Sequence, residues 1–260
     1  MKPAAFDYER PKDIPDALKL LTGESKLLAG GQSLGPMLNL RIVHPTLLID
    51  VRAIDELKQV KEEPGSVTLG ACITHSQIED ARVPDPSRGL MRQVASRIAY
   101  RAVRNRGTIG GSLSHADPAA DWPSALALLN GVAIVRGLKG KREIALDQFV
   151  TGLFTTALKD GEVLTAIRIP KLSAKARWGW WKFTRKAGEF AQAIGAALHD
   201  PERGVSRAVI GAVRGAPHVI ADARECDPAA EAAKTCSDPY ERQLHAVALK
   251  RAISQLERDR

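Results

Sequence analysis

The sequence has only three cysteines, Cys72, Cys226 and Cys236, in 260 residues. Their spacing fits no zinc or redox motif, and three thiols do not make a disulfide framework. An iron–sulfur cluster needs about four cysteine ligands, so the chain has no set of its own for one. The six histidines show no metal-ligand spacing such as H-x-x-x-H. No apolar run is long enough to span a bilayer, and the N-terminus has no apolar secretory segment. A cytoplasmic chain without a membrane span is the expectation. RNA-recognition and zinc-finger patterns are missing too. The net charge of +8 favours anionic ligands or acidic partners. The basic residues are scattered, with modest clusters at 97–106 and 182–186, so no nucleic-acid partner is expected.

What is present suffices for a core: 44% of the residues are hydrophobic. Helical periodicity and caps predict helices at 16–21, 34–40, 74–81, 121–129 and 240–256, with a further one capped by Ser87. Short apolar runs predict strands at 26–29, 47–51, 132–136, 163–169, 178–185, 191–198 and 208–213. Segments 57–61 and 66–71 flank Glu63-Pro64-Gly65, a hairpin turn sequence. Segment 105–118 is rich in glycine and small residues and reads as a loop. The fold class is α+β: an α/β subdomain at 1–55, a second at 56–172 and an α+β subdomain at 173–260.

Two segments carry the chemistry. The first is Leu27-Leu28-Ala29-Gly30-Gly31-Gln32-Ser33-Leu34, between a strand and a helix. Paired glycines let a ligand approach the backbone, and successive amides can point at an anion. Gly30 and Gly35 are spaced like the ends of a P-loop. Pro36-Met37 stands where that motif needs Lys and Ser/Thr, so a nucleotide triphosphatase is not indicated. A tight turn needing glycine accounts for the same residues. The second segment is Arg104-Asn105-Arg106-Gly107-Thr108-Ile109-Gly110-Gly111-Ser112. Two glycine-rich loops can clamp a diphosphate from both sides. Asp117 and Asp121 follow, suited either to ribose or amide hydrogen bonds or to helix capping. Trp180 and Lys182 share a strand face by period two.

The pair AGGQSL and RNRGTIGGSL resembles the FAD-binding medium subunits of molybdenum hydroxylases, the aerobic carbon monoxide dehydrogenase and xanthine dehydrogenase family. Phe6-Asp7-Tyr8, Leu69-Gly70-Ala71 with Thr74, Lys182–Gly188 and the final helix led by Tyr240-Glu241-Arg242 fit the same family in order. The resemblance implies the FAD-binding fold of the vanillyl-alcohol oxidase type, plus a C-terminal α+β subdomain. It implies an oxidoreductase subunit that holds FAD and passes electrons from iron–sulfur clusters on a partner to an external acceptor. The molybdopterin cofactor and 2Fe–2S clusters then sit on a large molybdenum subunit and a small iron–sulfur subunit, in a heterotrimer or a dimer of heterotrimers. A self-contained flavoprotein oxidase of the same fold is the alternative.

By that resemblance, residues 27–34 and Thr108-Ile109-Gly110-Gly111-Ser112 surround the pyrophosphate. Asp121 bonds the adenosine side, Leu164 packs near the flavin, and Lys182 contacts the flavin from a strand. The family usually has Asn where Ser112 stands, and Ser has shorter reach. Without the resemblance, Leu164 reads equally as core and Lys182 as a solvated strand cation.

Overall fold

Strand–helix alternation near the N-terminus produces a parallel sheet, because parallel neighbours need a crossover rather than a tight turn. The computed structural model describes residues 2–257. In the first unit, β1 (Asp7–Glu9), α1 (Ile14–Leu20), β2 (Ser25–Leu28), α2 (Leu34–Asn39) and β3 (Leu47–Asp50) form a three-stranded sheet in the order β1-β3-β2. Both strand pairs are parallel. The Asp13 side chain accepts the Asp16 amide and Pro15 sits in the first turn, which fixes where α1 begins.

The second unit runs β4 (Val60–Glu62), β5 (Ser66–Gly70), α3 (His75–Glu79), α4 (Leu90–Ser96), α5 (Arg101–Arg104), α6 (Ile109–His115), α7 (Asp121–Leu128), β6 (Val132–Gly137), β7 (Gly140–Ala145), β8 (Val150–Gly152), β9 (Thr155–Thr156) and β10 (Glu162–Pro170). Its main sheet is antiparallel, in the order β4-β5-β10-β6-β7. The hairpin at Glu63-Pro64-Gly65 closes with the Glu63 amide on the Ser66 carbonyl. Thr74 and Gln77 make a reciprocal capping box on α3. Helix α4 starts later than Ser87 suggests: Gly89 holds the cap position with φ +93°, while Ser87 Oγ accepts the Met91 amide. Every residue of α7 is buried, as befits a helix that is apolar nearly all round.

Segment 105–118 is not a loop throughout. Residues Ile109–His115 form α6, and the Thr108 side chain caps it through the Gly111 amide. Two helical glycines cost about 1 kcal/mol each relative to alanine, which is why local sequence hides this helix. Packing requires them: a β-carbon at position 110 would lie 2.4 Å from Ala71 Cβ.

The third unit is β11 (Arg177–Phe183), β12 (Ala193–Asp200), β13 (Val205–Gly211), β14 (His218–Ile220), α8 (Pro228–Ala233) and α9 (Pro239–Ile253), with an antiparallel sheet in that strand order. Its two faces serve different cores. Trp178, Trp180, Ile194, Leu198 and Val209 join the main core, whereas Ala197, Ala208 and Ile210 pack with Leu249 and Ala252 of α9. Helix α7 lies so close to the first face that a β-carbon at Gly211 would be 1.9 Å from Ser124 Oγ. On the other face, a β-carbon at Gly179 would be 1.9 Å from the Ala252 carbonyl oxygen.

That contact predicts a stability difference. Gly179→Ala forces α9 off the sheet and should cost about 1–3 kcal/mol. Gly65→Ala, where nothing lies within 4 Å, should stay within about 0.5 kcal/mol. Urea unfolding midpoints of the two variants check this.

Candidate functional site

The first glycine-rich segment leaves the end of β2 and enters α2. Gly31 takes φ +71°, a conformation other residues adopt with strain. Among the described residues, no backbone hydrogen bond ends on the amides of Gly31, Gln32 or Ser33. The Gln32 side chain folds back to donate to the Gly30 carbonyl at 3.1 Å. Gly30 is pressed against the second segment: a β-carbon there would lie 2.2 Å from the Arg106 carbonyl oxygen and 2.8 Å from Gly107 Cα. The two segments, from different sheets, therefore meet backbone to backbone.

The second segment spends its amides differently. Ile109 N–H donates to the Ile73 carbonyl, Gly110 to Ala71, and Ser112 to Thr108. Gly111 N–H donates to Thr108 Oγ1. Its glycines serve close packing, on Ala71 at Gly110 and near Ala29 Cβ at Gly111. Arg104 is committed too: it forks onto Glu79 and donates to the Ile98 and Ala99 carbonyls. Arg106 is exposed.

Behind the second segment lies His75, 5% exposed. Its backbone N–H donates to the Gly107 carbonyl at 2.9 Å. Its Nδ1 accepts the Trp122 indole N–H at 3.1 Å. Burial, reinforced by the Arg104 cation, pushes its pKa from 6.5 down to about 4.

Trp122 follows Asp121, the first residue of α7. Asp121 Oδ2 receives Lys182 Nζ at 2.8 Å, with both side chains 5% exposed. Lys182 also donates to the Arg97 carbonyl at 3.3 Å. An ammonium has three donors, so one is left over. Asp121 Oδ1 is buried with no partner among the described residues. Burial pushes the Asp121 carboxyl above its usual range, and the Lys182 ammonium opposes the rise. A spare acceptor beside a spare donor, both out of water, suits a ligand hydroxyl, which can satisfy both.

Residues 4–172 match the model of the FAD binding domain in molybdopterin dehydrogenase. The chain belongs to this family. It is similar to caffeine dehydrogenase subunit beta of Pseudomonas sp. (strain CBB1), 36% identical over 202 residues, covering 76% of this chain and 68% of that one. The nicotine 6-hydroxylase medium subunit of Paenarthrobacter nicotinovorans is 34% identical over 230 residues, covering 86% and 81%. A solved carbon monoxide dehydrogenase from Hydrogenophaga pseudoflava, lacking the Mo-pyranopterin moiety of the molybdenum cofactor, superposes with a TM-score of 0.90. It is 30% identical, with 98% of each chain covered. The chain is thus an FAD-binding subunit of the molybdenum-containing dehydrogenases, an oxidoreductase component with the mixed α+β fold of that family.

Within this family frame, the residues singled out from sequence fall into three groups. Gly30 of the first set meets Arg106–Gly107, just ahead of residues 108–112, and a β-carbon at Gly111 would lie 3.8 Å from Ala29 Cβ. Asp121 and Lys182 come together as an ion pair. The resemblance implies an adenosine contact for Asp121 and a flavin contact for Lys182; the structure pairs the two at 2.8 Å. Leu164 stands apart as a 4% exposed core residue of β10. Its neighbour Thr165 accepts the Ala71 amide, which ties β10 to the packing behind Gly110. Trp180 shares the Lys182 face of β11, and its Nε1 is buried without a partner among the described residues. His115 stacks obliquely on Phe154 at 5.2 Å. Sequence reading missed His75 and Trp122; the cap at Thr74, next to His75, was the available signal for the first. A cavity of about 430 Å³ lies elsewhere, lined by Arg214, His218 and Lys234 among others. Its His218 and Lys234 are already paired to Glu231.

The His75 shift has a defined sign. Between pH 6.5 and about 4, unfolding takes up a proton that the folded imidazole refuses. Its contribution is intact above pH 6.5 and is lost as pH falls toward about 4. Urea unfolding across that range should give a steeper loss of stability for the unmodified chain than for His75→Gln.

Proposed function

We propose that the chain holds FAD with its pyrophosphate between residues 27–34 and 108–112, and relays electrons from iron–sulfur clusters on a partner subunit to an external acceptor. The observation that carries this reading is the junction itself: among the described residues, the three amides that follow Gly30, where the two segments touch, have no hydrogen-bond partner. Amides with no partner in the chain suit phosphate oxygens. The second segment supplies a close, glycine-lined wall and the Ser112 hydroxyl, and contributes shape more than free amides.

Asp121 and Lys182 would hold the ribityl–flavin end, with Asp121 Oδ1 accepting a hydroxyl and the third Lys182 donor free for a cofactor oxygen. Their ion pair keeps a positive charge at a fixed point in a dry site. There an ammonium acts more strongly on neighbouring charge than it would in water. Leu164 contributes apolar packing from β10. Bound FAD supplies the exchange between one-electron clusters and a two-electron acceptor, while the protein supplies binding, position and exclusion of water.

The partners that fit are a small subunit with 2Fe–2S clusters and a large subunit with the molybdopterin cofactor, in a heterotrimer or its dimer. The family's multi-subunit relatives support this, as does the lack of a four-cysteine set among the three cysteines. Among the described residues, no helix is long and apolar enough to cross a membrane. The acceptor and the organic substrate belong to the assembled complex.

The cofactor prediction is direct. Chain purified with its coexpressed partners and denatured by heat should release FAD, about one per chain. Chromatography of the released flavin distinguishes this from FMN, or from no flavin, either of which contradicts the proposal.

A further inference from the structure

His75 is fixed from three sides, more constraint than filling a core position requires. We propose that His75 is a positioning residue for the cofactor loops: a buried imidazole strut that sets the backbone of the second loop from the helix carrying Asp121. This inference rests on the FAD reading above.

The chain of contacts is continuous. Trp122 Nε1–H donates to His75 Nδ1 at 3.1 Å, and both side chains are buried. In a neutral imidazole one nitrogen accepts and the other carries the proton, so the proton sits on Nε2. That nitrogen faces Gly107, where a β-carbon would lie 2.8 Å from it. The same residue's carbonyl receives the His75 backbone N–H at 2.9 Å. His75 therefore meets one residue of the second loop twice, through a backbone hydrogen bond and through packing of the ring edge against Gly107. Gly107 is also the residue whose Cα a β-carbon at Gly30 would strike at 2.8 Å. The strut thus supports the place where the two loops meet. A bridge between Thr74 and Thr108 and the Ile109 amide on the Ile73 carbonyl extend the grip to either side.

The other end of the strut matters equally. Trp122 and Asp121 are consecutive on the first turn of α7, so a rotation that broke the indole–imidazole bond would also swing the Asp121 carboxylate. His75 would in this way hold the pyrophosphate loops and the Asp121–Lys182 pair in one fixed relation. It meets the second loop at Gly107 and reaches the ion pair only through Trp122. An imidazole suits the task because Nδ1 accepts at one end of a rigid ring whose other edge packs on Gly107, and its burial keeps it neutral.

Three variants of the full chain test the strut: His75→Gln, His75→Leu and Trp122→Phe. Gln keeps an acceptor and a donor, Leu keeps bulk without polarity, and Phe keeps a ring without the N–H. Each apo chain is titrated with FAD by flavin fluorescence, and its fold is checked by circular dichroism and urea unfolding. The expected result is that His75→Leu and Trp122→Phe weaken FAD binding by roughly tenfold or more, the scale of one unmade buried hydrogen bond, while still folded. His75→Gln should recover most of that loss. A role in core packing alone would lower apo stability and leave the affinity of the folded chain unchanged. Wild-type affinity in Trp122→Phe, or an equal loss in the Gln and Leu variants, would overturn the inference even if His75→Leu does not fold. Failure of the unmodified chain to bind FAD would instead remove the FAD reading, and the strut with it.

Discussion

The contact at Gly30 is the constraint on which the rest of the architecture hangs. A parallel three-stranded unit and an antiparallel five-stranded unit meet there with no side chain between them, Gly30 lying against the Arg106–Gly107 peptide. Any larger residue would hold the two glycine-rich segments apart. From that point a line of contacts runs through the molecule: Gly107 to the His75 ring, His75 to Trp122, and Asp121 beside it to Lys182 of the third sheet. Each link is buried, so each resists displacement by water. The three sheets are joined by a few specific polar contacts laid within a shared apolar core.

The division of labour among the glycines follows from where their amides go. In the first segment the amides after Gly30 have no partner among the described residues. In the second segment the corresponding amides are bonded within the chain, and the glycines permit approach to Ala71 and Ala29. Two similar sequence patterns thus differ locally: among the described residues one leaves its amides unbonded and the other bonds them within the chain. The Asp121–Lys182 pair shows the same economy. A buried ion pair with an unmatched carboxylate oxygen is costly in isolation, and a ligand hydroxyl at that oxygen would lower the cost. A cofactor touching residues of all three sheets would also stabilise the folded chain by linkage, since the unfolded chain offers no such site.

Much of this was legible in the sequence where local chemistry and tertiary packing agree. The strand expected at 26–29 and found at Ser25–Leu28, the hairpin at Glu63-Pro64-Gly65, the helix cap at Thr74 and the helix expected at 121–129 each announce themselves through a turn residue, a cap or a periodic apolar pattern. Helix α6 did not, because its two glycines argue against a helix locally and are needed only for contacts with distant residues. Strand β7, mostly polar and exposed at the sheet edge, lacks the alternation that marks a half-buried strand. The site divides along the same line. Both glycine segments and Asp121 stood out by residue type, whereas Lys182 came from the family resemblance. The pairing of Asp121 with Lys182, the partnered amides at 109–112 and the bond from Trp122 to His75 are tertiary facts that no local pattern encodes.

A crystal structure of the full chain with FAD bound tests the central claim most directly. The pyrophosphate should lie against the amides of Gly31, Gln32 and Ser33, walled by residues 108–112, with a cofactor hydroxyl on Asp121 Oδ1. Electron density for the pyrophosphate in the basin lined by Arg214, His218 and Lys234, or an Asp121–Lys182 pair out of reach of the cofactor, would contradict it.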